Sequence, residues 1–488
     1  MLSSLLALAD ADPQTAALAD EGGSAFVSQS LRPFLLAALL QRDERPAIVV
    51  AGDDRSARDL ASGLRTWLAP RTVRYYPSRG VTYESHLAPP PHLVGQRIAA
   101  LDALLDDPGE GAGAAPVVVV SAVALSEKVP DPSLRPRGFT LHVGDLLDLD
   151  EVAEQLVAAG YERADQVEDR GQFAIRGGLL DVFPATEDRA VRVDLFGDEI
   201  ETLRAFSTFT QRSLEDLETV EVAPAAELAQ EYRELAEIAA LERQEDRPDI
   251  AELLPVEDFK AFLELVSDEA AVLIAAEEEL QPALADHWQD VTAAFHDTDA
   301  HHLYVAPEPI TAALHERARI RLASLDQDQR FSFRAQGAEI AARGIREAEP
   351  ELEKLTRSGY LTVCTFANRG AGERAAYNLG RLKVGWLGAD GGGGAAAGPA
   401  GPAAASSGSS GPLRFAHARL RDGFIAPQFK LAVIPEQRLF RPRRAAEVPS
   451  RAGRRGVLRS FAELRTGDIV VHEDHGIARF AGFDTKTV

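Results

Sequence analysis

Arg163 and Arg176 sit in the run YERADQVEDRGQFAIRGGLLDVFP, residues 161–184, whose other residues are those of a small β module. A guanidinium is planar, permanently charged and able to pair bidentately with carboxylates or stack on apolar neighbours. Arginines projecting from an otherwise ordinary sheet therefore suit a protein–protein contact. The same pattern also fits a solvated sheet with charges on its wet face, and Phe173 and Phe183 read as core more readily than as contact. Other chemical constellations are weaker. His472 and His475 form an HxxH pair on a β segment, but with no cysteine or further ligand nearby the spacing does not make a zinc site. Glu277, Glu278 and Glu279 follow an apolar strand, where a nucleotide site would carry its magnesium-binding carboxylate. A phosphate cradle, however, needs glycine-rich backbone and a lysine, and no Gly-Lys dipeptide occurs anywhere. The triplet is expected to be a solvated helix start. Serines and threonines cluster in linkers, and the eleven histidines are scattered, with His301 and His302 expected in a loop. No nucleophile–base–orienter set can be assembled, which favours recruitment over catalysis.

The elements that position the two arginines follow from periodicity. Phe173 and Ile175 alternate with small or polar neighbours, Gly177-Gly178 permits a tight turn, and Leu180 and Val182 alternate again. Val191, Val193 and Leu195 then face one way and Arg192 and Asp194 the other, before Phe196-Gly197-Asp198 turns the chain into residues 199–206. Upstream, residues 46–50, 73–76 and 117–120 read as buried strands, with helices over 55–68 and 94–105. That alternation implies a parallel sheet with crossover helices. Residues 228–247 read as an acidic helix and 271–275 as another buried strand, so the regions before and after the β module are expected to close into one α/β domain. A strand at 360–366, a helix at 372–381 and a strand at 429–435 make a second, small α/β domain.

Composition bounds the function classes. A chain of 488 residues suggests roughly three or four domains. A single cysteine, Cys364, excludes an internal disulfide and fits a reducing cytoplasm. The start, MLSSLLALADADPQ, lacks a basic segment and reads as no signal peptide, and no apolar run approaches the ~20 residues of a membrane helix. A net charge of −24 opposes broad non-specific binding to nucleic acid, so a protein partner is expected and any DNA contact must be local. Two segments look like linkers. Residues 388–412 are nearly all Gly, Ala, Pro and Ser and are expected to be a disordered, functionally silent loop. Residues 441–459 carry seven arginines against one glutamate.

Residues 161–206 closely resemble the second domain of the UvrB family and its counterpart in the transcription-repair coupling factors, a surface that binds UvrA. The motif segments matching YER and IRG carry the family's UvrA-binding arginines, which places Arg163 and Arg176, with Phe183 beside them, in that contact. A third family arginine is Ala174 here. The final run, GDIVVHEDHGIARFAGF, resembles the opening of the CarD-like, Tudor-type module through which coupling factors grip RNA polymerase, and it implies a polymerase contact beginning around Val471, His472, His475 and Gly476.

The order of parts matches the N-terminal portion of a coupling factor. The resemblance implies a multidomain α/β chain: a degenerate helicase-type (RecA-like) domain over 1–144 and 226–354, an inserted antiparallel β-rich domain over 145–225, a small α/β domain over 355–440, a basic linker over 441–464 and a truncated Tudor-like β domain over 465–488. It further implies that ATP and magnesium serve a motor C-terminal to this chain, an ATP-driven DNA translocase, with no cofactor here. Where the family places its P-loop, the chain reads EGGSAFVSQSLRPFL. UvrB also inserts an aromatic hairpin into DNA after a Tyr-Tyr pair; the stretch after Tyr75-Tyr76 is too short for that device. A UvrB-type damage-recognition subunit is the alternative, and a scaffold with no repair role a third.

Overall fold

The computed structural model describes residues 2–440 and a separate hairpin within 469–479. It leaves out residues 82–85, 87–88, 106–113, 188, scattered positions over 231–249, 296, 326–328, 389–411 and 473–475. Much of the acidic helix expected at 228–247, the 388–412 insert and the basic linker therefore lie outside the described residues.

Seven parallel strands form the first sheet, in the order Phe331–Phe333, Gly23–Val27, Ala318–Ala323, Ala271–Ile274, Ala47–Ala51, Val117–Ser121, Val73–Tyr76. Every residue of Ala47–Ala51 and Val117–Ser121 is buried, as β-branched runs covered by helices on both faces must be. The sheet draws strands from both sides of the β-rich insertion. Helix Asp54–Leu68 shows how the sequence sets such a covering element. Asp53 caps it by accepting the Ser56 N–H at 2.7 Å, and the stripe Ala57, Leu60, Ala61, Leu64, Trp67 faces the sheet.

The inserted domain is a six-stranded sheet, ordered Ser213–Leu217, Glu199–Phe206, Ala190–Phe196, Leu179–Val182, Gln172–Arg176, Glu162–Arg163. All its pairs are antiparallel except the last, in which the short edge strand runs parallel to its neighbour. Helix Leu149–Ala158 covers one face, burying Val152 and Leu156 against Phe173, Leu180, Val182, Val191 and Val193.

A third sheet of six strands, centred on Leu361–Phe366 and Leu431–Pro435, builds the small α/β domain. It packs on the first through an aromatic cluster in which Phe34 lies 5.1 Å from Trp67, 5.3 Å from Phe424 and 5.5 Å from Phe429. Separately, Ile469–His472 pairs antiparallel with Gly476–Arg479. Two local expectations are corrected. His301 and His302 lie in helix Asp297–Leu303 rather than a loop. The Glu277–Glu279 carboxylates begin helix Glu277–Ala294 but are half-buried and engaged rather than solvated.

Candidate protein-interaction site

The site is built on the open edge of the inserted sheet. Tyr161 anchors it: the buried phenol donates to the Ala223 carbonyl at 2.7 Å and accepts the Ala185 N–H at 3.1 Å, tying the start of the edge strand to the end of the module. Gly160 precedes it at φ +98°, and a Cβ there would strike the Ala226 backbone at 2.7 Å, so only glycine lets the chain enter the strand. Arg163 then stands exposed on the edge, beside Phe173 in the parallel register. Among the described residues it has no ion-pair partner. Arg176, also exposed, ends the neighbouring strand and donates to the Asp165 carbonyl.

Phe173 points into the core, and Arg176 lies three residues further along the same strand. The pleat therefore puts the two arginines on opposite faces of one edge rather than side by side. Phe173 is fully buried. Phe183 is half-buried against Val167, Ala174, Ala190 and Phe206, with the Arg170 guanidinium 5.7 Å over its ring. Ala174, where the family pattern has a third arginine, belongs to that small cluster and is buried. A cleft of about 560 Å³ runs beside the edge, lined in part by Pro91, Glu162, Arg170 and Gln172.

The remaining arginines of the sheet are internally spent. Arg192 forms two 2.7 Å bonds to Asp181 and lies 4.7 Å over the Phe206 ring, while Arg204 pairs with Asp194. The edge thus presents cations that the module does not neutralise.

Behind it lies a buried ion-pair network that holds the module to the α/β domain and that the sequence reading missed. Arg97 donates from Nε to Glu227 at 2.6 Å, and from Nη1 to Glu127 and the Pro77 carbonyl, each at 2.7 Å. Its guanidinium lies 4.3 Å over the Tyr76 ring. Arg79 pairs with Glu227, and its N–H reaches Glu127 at 2.8 Å. Burial alone would raise the Glu227 carboxyl, but Arg79 and Arg97 hold it below its ordinary range. Burial does raise Glu127, against the pull of the same two arginines. A signal existed: Val94, Arg97, Ile98 and Leu101 share one helical stripe, so an arginine stands in an apolar row.

At the place of a phosphate loop, a single turn, Gln29–Leu31, leads into helix Arg32–Gln41. Arg32 is buried and donates to the Ser324 hydroxyl. Burial disfavours its charge, and Glu279 and Glu278 support it. Glu278 also accepts the Ser324 N–H at 2.7 Å, and a Cβ on Gly52 would lie 2.8 Å from that of Glu279. The small α/β domain closes over this end of the sheet. Arg421 pairs with Asp59 and the Arg419 carbonyl accepts from Thr66 at 3.0 Å, leaving a space of about 190 Å³. In the terminal hairpin Val471 pairs with Ile477 and His472 with Gly476, while His475 lies outside the described residues. Among the described residues no group of histidine, cysteine and acidic side chains could hold a metal ion.

Comparison with known proteins agrees with this organisation. Residues 139–228 match the family model of the UvrB interaction domain, and residues 464–488 that of the CarD-like/TRCF RID domain. A transcription-repair-coupling factor of Bacillus subtilis is 26% identical over 95% of the chain and 42% of its own length. One of Mycobacterium tuberculosis is 29% identical over 93% of the chain and 40% of its own length. UvrABC system protein B of Thermotoga neapolitana is 28% identical over 39% of the chain and 30% of its own length. The chain thus spans about two fifths of the coupling factors that it matches end to end. With both family models found in one chain, inside alignments that run over nearly all of it, the chain is similar almost throughout to the transcription-repair-coupling factors, and these findings support reading it as a counterpart of their N-terminal region.

Proposed function

We propose that this chain is a recruitment region: the inserted β-rich domain binds UvrA and brings nucleotide excision repair to lesion-stalled RNA polymerase, which the terminal hairpin module contacts. The observation that carries this reading is the pair of exposed arginines, Arg163 and Arg176, on the open edge of a domain matching the UvrB interaction domain. The parent protein is then a cytoplasmic, ATP-dependent DNA translocase that displaces the polymerase. Titrating labelled chain with purified UvrA tests the assignment. Saturable binding that is lost with Arg163→Glu and Arg176→Glu together supports it, and binding unaffected by the double substitution sinks it.

The chain itself is proposed to bind no nucleotide. The absence of a Gly-Lys dipeptide supports this, as do the placement of Arg32 against Glu278 and Glu279 and the closure of that end of the sheet by the 419–424 segment. A triphosphate would meet carboxylates where it needs amide N–H groups and a lysine. Titration with labelled ATP and magnesium should show no saturable binding in the micromolar range. A stoichiometric magnesium-dependent complex would instead favour the second reading, a UvrB-type damage-recognition subunit, which the partial match to UvrABC system protein B motivates.

A further inference from the structure

We infer that the small α/β domain carries a binding surface for single-stranded nucleic acid, along helix Arg369–Asn378 and the strand Val384–Trp386 that follows it. This surface is independent of the UvrA edge. Between residues 367 and 387 the chain carries four cations, Arg369, Arg374, Arg381 and Lys383, against one carboxylate, Glu373, within a molecule of net charge −24. Phosphates repelled elsewhere are attracted here.

The cations are interleaved with aromatic rings. Gly372 has no Cβ, and one placed there would lie 2.5 Å from Trp386 Cη2. That vacancy lets the indole pack directly on the helix. The Arg369 guanidinium sits 5.8 Å over the same ring. Tyr377, one turn beyond Arg374, is 89% exposed, the most exposed tyrosine among the described residues. Arg346, from the preceding helix, reaches the Asn378 carbonyl at 3.2 Å and extends the basic band past Tyr377.

Half of this charge is met internally, by Glu373 at Arg369 and by Glu353 and Glu349 at Arg381, and half is left over. Arg369 holds Glu373 at 2.9 Å, and Arg381 approaches Glu353 only to 3.8 Å. Arg374 and Lys383 are exposed and have no ion-pair partner among the described residues. An acidic peptide would use the cations but not a bare phenol. A duplex would offer phosphates but keep its base faces stacked. Unpaired bases use both features, because every base has a π-face to set on an aromatic ring while its phosphate meets a cation.

The test uses the whole chain and a fluorescein-labelled oligo-dT of about twenty nucleotides, read by anisotropy at about 50 mM and about 200 mM salt. Binding should be saturable at low salt. Tyr377→Ala should weaken it about tenfold, with the melting temperature unchanged because the side chain is exposed. The double substitution Arg374→Glu, Lys383→Glu should weaken it further and reduce the slope of log affinity against log salt by about 1.4. Absence of wild-type binding overturns the proposal, as does wild-type affinity in both variants, which would move the contact to the arginines of 441–459. Loss in the charge variant with none in Tyr377→Ala overturns the single-strand assignment. Polyglutamate binding as tightly as the oligonucleotide would make the surface one for an acidic protein.

Discussion

At the residue scale, the two edge arginines differ in their freedom. Arg176 is partly spent on the Asp165 carbonyl, whereas Arg163 is free of ion pairs among the described residues. Either Arg163→Glu or Arg176→Glu is expected to weaken UvrA binding by about 2 kcal/mol, with the melting temperature unchanged. Because the residues occupy opposite faces of the edge, a double-mutant cycle should find the two losses additive. The buried network behaves differently. Arg97→Met removes the ion-pair partner of Glu127 inside the protein, leaving only the pull of Arg79, and should cost about 3–5 kcal/mol, read as a lowered denaturant midpoint. His86 adds a pH dependence. Its ring faces the Tyr304 hydroxyl, His287, Phe295, Arg79 and Arg97. Burial first, then the arginine charges, pushes its pKa well below 6.5, and burial lowers His287 too. The unfolded chain takes up protons below about pH 6.5 that the folded chain refuses. Stability is therefore full above that pH and falls as pH drops, by at most about 1.4 kcal/mol per unit for each histidine. Melting curves between about pH 7.5 and 5.5 should show this decline, and His86→Gln should make it shallower.

At the element scale, close approaches decide which substitutions the fold tolerates. Gly95 lies in helix Pro91–Leu105 where it meets the inserted domain, and a Cβ there would stand 2.7 Å from the Ala185 carbonyl carbon and oxygen. Alanine gains about 1 kcal/mol of helix propensity but must push two backbones apart, at about 1–3 kcal/mol. Gly95→Ala should therefore lower the melting temperature, contrary to the helix rule. The glycine-rich insert is governed by geometry of another kind. Val384–Trp386 and Leu413–His417 are parallel neighbours, so the connection must return along the strand before the second one starts. Shortening residues 389–411 to about ten should leave the melting temperature unchanged. Complete excision should lower it, since the three residues left fall well short of the dozen or so that a crossover between parallel strands needs. Periodicity made the strands legible, because alternation and buried valine runs leave one choice of face. It could not show that the edge strand Glu162–Arg163 pairs parallel, a relation set by the path of the intervening loop.

At the scale of the whole molecule, the parallel α/β class with a β-rich insertion was readable from the alternation of apolar strands and amphipathic helices. Charge balance, cysteine count and the missing Gly-Lys are also properties of the chain alone, because composition and local motifs need no partner in space. Contacts between residues distant along the chain are another matter. Glu277, Glu278 and Glu279 read as solvated because nothing near them in sequence opposes their charge; folding brings Arg32 and Ser324 to them. Arg97 meets Glu127 and Glu227 only once the inserted domain has returned to the sheet. Arg163 and Arg176 were identifiable as residues, but which faces they occupy is a matter of register. Local propensity acts over a few residues, whereas register, burial and ion pairing depend on which distant segments share a core. The sequence therefore determined the kinds of element and the residues available to a partner, and tertiary packing decided which charges were consumed inside and which remained to bind.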